Sequence, residues 1–371
     1  MSRLSQSLSG SKIAVIGGGI NGTMAAWALA NAGASVKLFE AGRLMSQTSR
    51  ASTKMLHGGL RYLANFEFAM VRESLQERRW WRAHNTGLVQ PIAIVVPIPK
   101  KDLKRRTLVG IGVKLYDFLA AGSGFPRSRW LSQKDLRLRF PGLKVDRLSG
   151  GWEYWDAQMD DFALGLWAAT QAKKAGVTMT EGARVQKIYE DGLVQLTTPE
   201  STSSQFDLII NAAGPWAEQL LAASSIPHGH GLTLIRGSHL LVAPTPQTGL
   251  ALPHRDNRLI FFLPYQGKGL LGTTEANQSI QDPIAASKEE IDELTACYAD
   301  WFETPLQQQE IQEVFSGLRP VVRQSGKSLS AASREAVIET QGRIITIWGG
   351  KWTTSRKLGL AVVEAAVKVT K

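Results

Sequence analysis

The stretch HGGLRYL, residues 57–63, sets an imidazole (His57), a guanidinium (Arg61) and a phenol (Tyr62) around two glycines, Gly58 and Gly59. Such a mix suits neither a core strand nor a helix interior. A guanidinium is a planar fork for phosphate or carboxylate, and an imidazole titrates near neutral pH. Two adjacent glycines leave bare backbone beside these groups. A second stretch, GGKWTTSRK at 349–357, repeats the association of paired glycines with cations. Anion recognition next to a close backbone contact is the chemistry these residue types can perform.

Such loops need a frame, and the N-terminal region supplies part of one. Residues 13–16 are a short apolar run, suited to a buried parallel strand. Gly17, Gly19 and Gly22 follow as G-x-G-x-x-G, then a helical segment around Met24, Trp27, Ala28 and Leu29 that Gly33 ends. A second strand runs through 36–39 and closes on Glu40, 23 positions after Gly17. The first glycine permits the tight turn, the second lets a pyrophosphate approach, and the third lets helix and strand pack closely. Free amides at the helix start face the anion, and Glu40 would accept from a ribose hydroxyl. The fingerprint by itself fits FAD or NAD. Two later segments favour flavin. FDLIINAAG, 206–214, is a strand ending in small residues, and RIITIWGG, 343–350, is a strand ending in a glycine turn before a helix near Thr353. Amides at that helix start would stabilise negative charge on a reduced flavin ring.

The fold expected is α/β: a discontinuous Rossmann-like FAD-binding domain with a second, mainly antiparallel-sheet domain over the flavin. The division expected is 10–84, 155–231 and 330–371 for the first, 85–154 and 232–329 for the second, and a flexible tail over 1–9. Strand-like runs punctuated by Pro and Gly across 232–275 support the antiparallel sheet.

Composition bounds the rest. The 371 residues are 43% hydrophobic and 20% charged, enough for a large core and two domains. The single cysteine, Cys297, excludes an intrachain disulfide and thiolate-ligated clusters. The net charge of +11 favours anionic partners. The basic runs are not interleaved with stacking aromatics, so nucleic acid is not expected. Neither a signal-peptide core nor an apolar run of about 18 residues is present.

The chain resembles the FAD-dependent glycerol-3-phosphate dehydrogenases, within the wider D-amino-acid oxidase-like flavoprotein superfamily. The blocks that carry the resemblance are GGGINGTMAAWALANAGASVKLFE, TSRASTKMLHGGLRYLANFEFAMVRESLQER, KLYDF, NAAGPWA, RGSHLLV, GTTE, FSGLRPV and WGGKWTTSRK, in family order. The resemblance implies oxidation of the C2 hydroxyl of glycerol 3-phosphate to a ketone, hydride transfer to FAD, and reoxidation by a quinone or another acceptor. It implies substrate contacts from His57, Arg61, Tyr62 and Arg334, and catalytic roles for His239, Arg319 and Lys351. It implies cofactor contacts from Gly17, Gly19, Gly22, Glu40, Ser49, Ser52, Gly58, Gly59, Ala213, Gly214, Gly349, Gly350, Lys351, Trp352 and Thr353. These residue types suit the roles on their own terms: arginine for phosphate, histidine for a general base, and a cation for a developing alkoxide.

Departures from the family include Ser355 for Tyr, Glu275 for Asp and Ala213 for Thr, and a chain end one helix after GGKWTTSRK, where relatives continue into a helical domain. They leave room for a different hydroxy or amino substrate, with oxygen as acceptor. A basic binding protein with a vestigial flavin site is the reading from another class. No metal site is expected: His228, His230, His254 and Asp256 read as loop residues. Asp160 and Asp161 read as a helix start, and Trp80 and Trp81 as packing at a domain junction. The apolar stretch 105–123 has basic flanks. It reads either as a helix packed on its own sheet or as one lying in a bilayer interface. The location expected is cytoplasmic, with peripheral contact to the inner face of the membrane if the second reading holds.

Overall fold

The computed structural model describes residues 6–197, 204–255, 258–323 and 336–370, without the side chains of Arg61, Ala64 and Asn65. Lys12–Ile16 is buried from its second residue onward, as befits a strand covered on both faces. It pairs in parallel with Ser35–Phe39 on one side and Leu208–Asn211 on the other. Ile344–Trp348 adds a further parallel strand, and Val337–Gln341 closes that edge antiparallel. Thr178–Thr180 forms the opposite edge of the six-stranded sheet. Helices Ile20–Asn31, Asp161–Lys174 and Ser355–Thr370 cover one face through Ala25, Leu29, Ala169, Ala172, Val362 and Val363.

The second sheet has ten strands. Val89–Pro99 runs antiparallel to Leu148–Met159, and Leu232–Val242 runs antiparallel to Ile311–Val322. The two halves meet where Gly249 and Leu250 lie parallel to Ile94 and Val95. The Rossmann-like sheet and the mainly antiparallel one are the two layers that the sequence led us to expect.

Three details differ from the sequence reading. Leu148–Met159 continues past residue 155 without a break, and Met55–Leu56 pairs with its far end, so both belong to the antiparallel sheet. The expected tail over 1–9 is anchored in its described part: Leu8 is buried in the core and its N–H donates to Ala32 O. One apolar side chain was enough to tie the segment down, and the polar composition around it hid that. Of the acidic pair, Asp160 caps the helix by accepting from Ala163 N, whereas Asp161 turns elsewhere.

Trp81 is fully buried; its ring packs against Trp80, Trp167 and Trp352, and its N–H donates to Thr353 O at 3.2 Å. The same cluster holds Ile20 and Met24 from the first helix with Leu56, Val89 and Met159 from the antiparallel sheet. It joins the two layers, and truncating such a tryptophan costs about 3–5 kcal/mol. Helix Leu103–Leu119 buries Gly110, Val113 and Tyr116 while exposing Leu103, Leu108, Ile111 and Phe118. No described helix is long and apolar enough to cross a membrane.

Candidate active site

The glycine turn after the first strand is tight. Gly17 has φ +107°, and a Cβ there would sit 2.4 Å from Ala212 O; one on Gly22 would sit 2.0 Å from Gly17 O. Strand end, turn and helix can approach this closely only without side chains, which makes a cradle for a dinucleotide. Gly19 stands at the helix N-cap, and Ser49 Oγ accepts from Ile20 N at 2.9 Å. Glu40 accepts from the amides of Gly18 and Gly42, each at 2.7 Å, which fixes its carboxylate at the strand end. Gly349 O accepts from Asn21 Nδ2, and Trp352 Nε1 donates to Ser49 O at 2.9 Å. Ala213 and Gly214 follow the strand Leu208–Asn211, and Gly214 faces open space. The cradle, the helix start beside it and its terminal acid fit FAD.

Segment 48–62 then crosses from this cradle to the antiparallel sheet. Thr48 Oγ1 donates to Leu318 O at 2.7 Å, next to Arg319. Thr53 Oγ1 lies 3.0 Å from His239 Nε2. Further along, Gly58 N donates to Tyr116 Oη at 2.8 Å and to Asp156 Oδ1 at 3.3 Å. Gly59 has φ +76°, and a Cβ on it would lie 2.1 Å from the Tyr62 ring. Glycine there lets the ring come close to the backbone, and Lys351 Nζ stands 4.4 Å from that ring's centre. His57 is exposed. The Arg61 side chain and the whole of Arg334 lie outside the described residues.

On the antiparallel sheet, His239 faces Phe315 across the strand pair and stacks on it at 4.9 Å. The imidazole is buried, and burial holds its pKa well below the ordinary value, with Arg319 and then Lys54 opposing its charge. A neutral ring results, able to accept a proton. Arg319 donates to Thr273 Oγ1 at 2.8 Å and pairs with Glu275 at 3.6 Å.

Ser52, one of the expected cofactor contacts, is held by Asp161. Its N–H and its hydroxyl both donate to Asp161 Oδ2, at 3.1 and 2.7 Å, and Lys54 Nζ meets Asp161 Oδ1 at 2.8 Å. Thr53, Lys54, Asp161 and Phe315 were missed as site neighbours. The signal available for Lys54 was a charge set directly before the apolar Met55–Leu56. His228 and His230 pack against Trp348, and among the described residues no group of three or more His, Cys, Asp or Glu could hold a metal.

A glycine cradle on a parallel sheet, facing a histidine and an arginine on an antiparallel one, defines a flavin-dependent oxidoreductase. The chain belongs to the FAD dependent oxidoreductase (DAO) family, whose model matches residues 12–356. It is an FAD-dependent dehydrogenase. It is 34% identical over 362 residues to a D-erythritol 1-phosphate dehydrogenase of Brucella abortus, covering 93% of this chain and 71% of that one. It is 32% identical over 362 residues to a glycerol-3-phosphate dehydrogenase of Pseudomonas tolaasii, covering 93% and 69%. The fold is similar to that of the FAD-complexed glycerol-3-phosphate dehydrogenase of Bacillus halodurans, with TM-score 0.76 and 24% identity, covering 99% of this chain and 66% of that one.

Proposed function

We propose that this protein oxidises the C2 hydroxyl of glycerol 3-phosphate to dihydroxyacetone phosphate. One observation carries the choice of an anionic substrate. Lys351 keeps an ammonium whose polar and ring contacts among the described residues are Met70 Sδ and Tyr62, so its charge is left for an anion. Relatives named for phosphorylated polyols support the phosphate. In this reading Arg61 and Arg334 join Lys351 in holding the substrate, with His57 and Tyr62 lining it. His239 accepts the hydroxyl proton, and Arg319 steadies the alkoxide that develops. Residues 17–22, Glu40, Ser49, 213–214 and 349–353 would hold FAD, which would supply the hydride acceptor, with a quinone or another acceptor to take up the electrons.

Anaerobic addition of glycerol 3-phosphate should bleach the flavin, and absence of bleaching would sink the assignment. The Arg61→Ala variant should raise KM strongly while retaining flavin. A second reading, a longer phosphorylated polyol, is favoured by the 34% identity to the erythritol-phosphate enzyme. Faster bleaching by D-erythritol 1-phosphate would select it. Bleaching by unphosphorylated alcohols or amino acids, with peroxide release in air, would select an oxidase with another substrate instead.

A cytoplasmic protein with peripheral membrane contact completes the proposal. Exposed Leu103, Leu108, Ile111 and Phe118 lie on a helix that starts with Lys104, Arg105 and Arg106. Such a helix suits an acidic lipid surface near a quinone pool. Failure to bind anionic vesicles at low salt would remove this part alone.

A further inference from the structure

His239 is almost wholly buried, and its Nδ1 meets no hydrogen-bonding group among the described residues. The polar contact its ring does make is at Nε2, with Thr53 Oγ1 at 3.0 Å. Thr53 is flanked on both sides by residues fixed to one carboxylate. Ser52 gives Asp161 its N–H and its hydroxyl, and Lys54 gives its ammonium. Lys54 N also donates to Ser52 Oγ at 3.0 Å, Lys54 Nζ donates to Arg50 O at 2.5 Å, and Lys54 O accepts from Met159 N at 2.9 Å. Lys54 holds φ +59°, a conformation that costs a lysine energy unless its surroundings impose it. Asp161 is fully buried, so its interactions are not screened by solvent. Nothing in a helix start requires this: Asp160 already caps the helix.

We propose that Thr53 is a positioning residue for His239, and that Asp161 clamps Ser52 and Lys54 so that the Thr53 hydroxyl meets Nε2. The inference deepens the proposed function and rests on its reading of His239 as the base. A hydroxyl both donates and accepts, so Thr53 gives Nε2 a partner in either neutral tautomer and holds the ring in one orientation. The charged groups bearing on that ring are Arg319 and Lys54, and its other neighbours are Phe315 and Gly272. Lys54 Nζ lies 5.1 Å from the Phe315 ring centre, so clamp and imidazole share one aromatic neighbour.

The test uses the flavin-loaded protein labelled with 15N-histidine, with His239→Asn to assign the signals. The wild type should show a neutral His239 ring with one ordered Nε2 environment. Thr53→Val should shift and broaden the Nε2 signal. It should also slow anaerobic flavin reduction about 10-fold, the scale of one lost hydrogen bond, with substrate KM within about twofold. Thr53→Ser should restore both readouts. Asp161→Asn should retain flavin and give an intermediate result. Unchanged His239 signals and an unchanged pH profile in Thr53→Val would overturn the inference. If glycerol 3-phosphate fails to reduce even the wild type, the functional reading falls, while the nitrogen signals still decide the role of Thr53.

Discussion

Two buried ion pairs brace segment 48–62, a front one at Lys54, whose charge bears on His239, and a rear one at Gly58. Lys54–Asp161 meets at 2.8 Å and Arg78–Asp156 at 2.6 Å, and all four side chains are shielded from water. In both, burial pushes the aspartate pKa up and the partner cation pulls it back. The work they do differs. Asp156 also accepts from Tyr116 Oη and from Gly58 N, so the rear pair fixes a backbone amide in the loop 57–62. Phe125 covers the Arg78 guanidinium at 4.1 Å. The front pair leaves its cation facing the rings of Phe315 and Tyr265, and its charge opposes protonation of His239. Desolvating a pair is costly, and such pairs survive where they specify geometry or field. Here one specifies backbone and the other the state of a side chain.

Substitutions can break that contrast. Arg78→Met leaves Asp156 buried with only neutral donors, and should lower the unfolding free energy by about 3–5 kcal/mol. Denaturant unfolding of the flavin-loaded protein measures it, and the double variant Arg78→Met with Asp156→Leu should recover most of the loss. Lys54→Met should cost less, about 2 kcal/mol, because the Lys54 side chain is less completely shielded than that of Arg78. It should also raise the pKa of His239, which Arg78→Met should not. Equal effects of the two variants on His239 would erase the distinction.

The pH dependence of stability tests the same field. His239 has a folded pKa below its unfolded one, so the unfolded chain binds the extra proton. Its contribution is therefore present above the unfolded value and lost as pH falls, by up to about 1.4 kcal/mol per pH unit below roughly pH 6.5. His239→Asn should remove that slope, and Lys54→Met should confine it to a narrower window. An unaltered slope in His239→Asn would assign the acid sensitivity to other groups. The smallest effect should come from Phe125→Leu, which removes the ring over Arg78 and should cost about 1 kcal/mol, with flavin reduction unchanged. A loss of reduction rate there would mean the rear centre acts on chemistry as well as on shape.

Much of the frame was legible because its signals are local. The apolar run 13–16, the glycines at 17, 19 and 22, and the acid at 40 constrain strand, turn and helix by nearest-neighbour sterics. The presence of an antiparallel layer followed from strand-like runs between Pro and Gly. The strand Leu148–Met159 crosses the expected boundary at 155, and its ladder partners are invisible to a reading along the chain. Leu8 was lost in a polar tail for the same reason: its contacts are with Ala32 and the core rather than with its neighbours.

By itself, then, the sequence determined the dinucleotide turn, the two kinds of sheet and the residue types able to meet an anion. Those properties depend on side-chain size, spacing and charge within a few residues. The tertiary structure alone decided which groups face one another. Asp161 lies 107 positions from Lys54, and Thr53 lies 186 from His239. A carboxylate beside a helix start looks the same in sequence whether it caps amides or clamps a loop. Only folding brings the lysine and the serine to it, and burial then makes their charges and hydrogen bonds strong enough to set the state of a histidine.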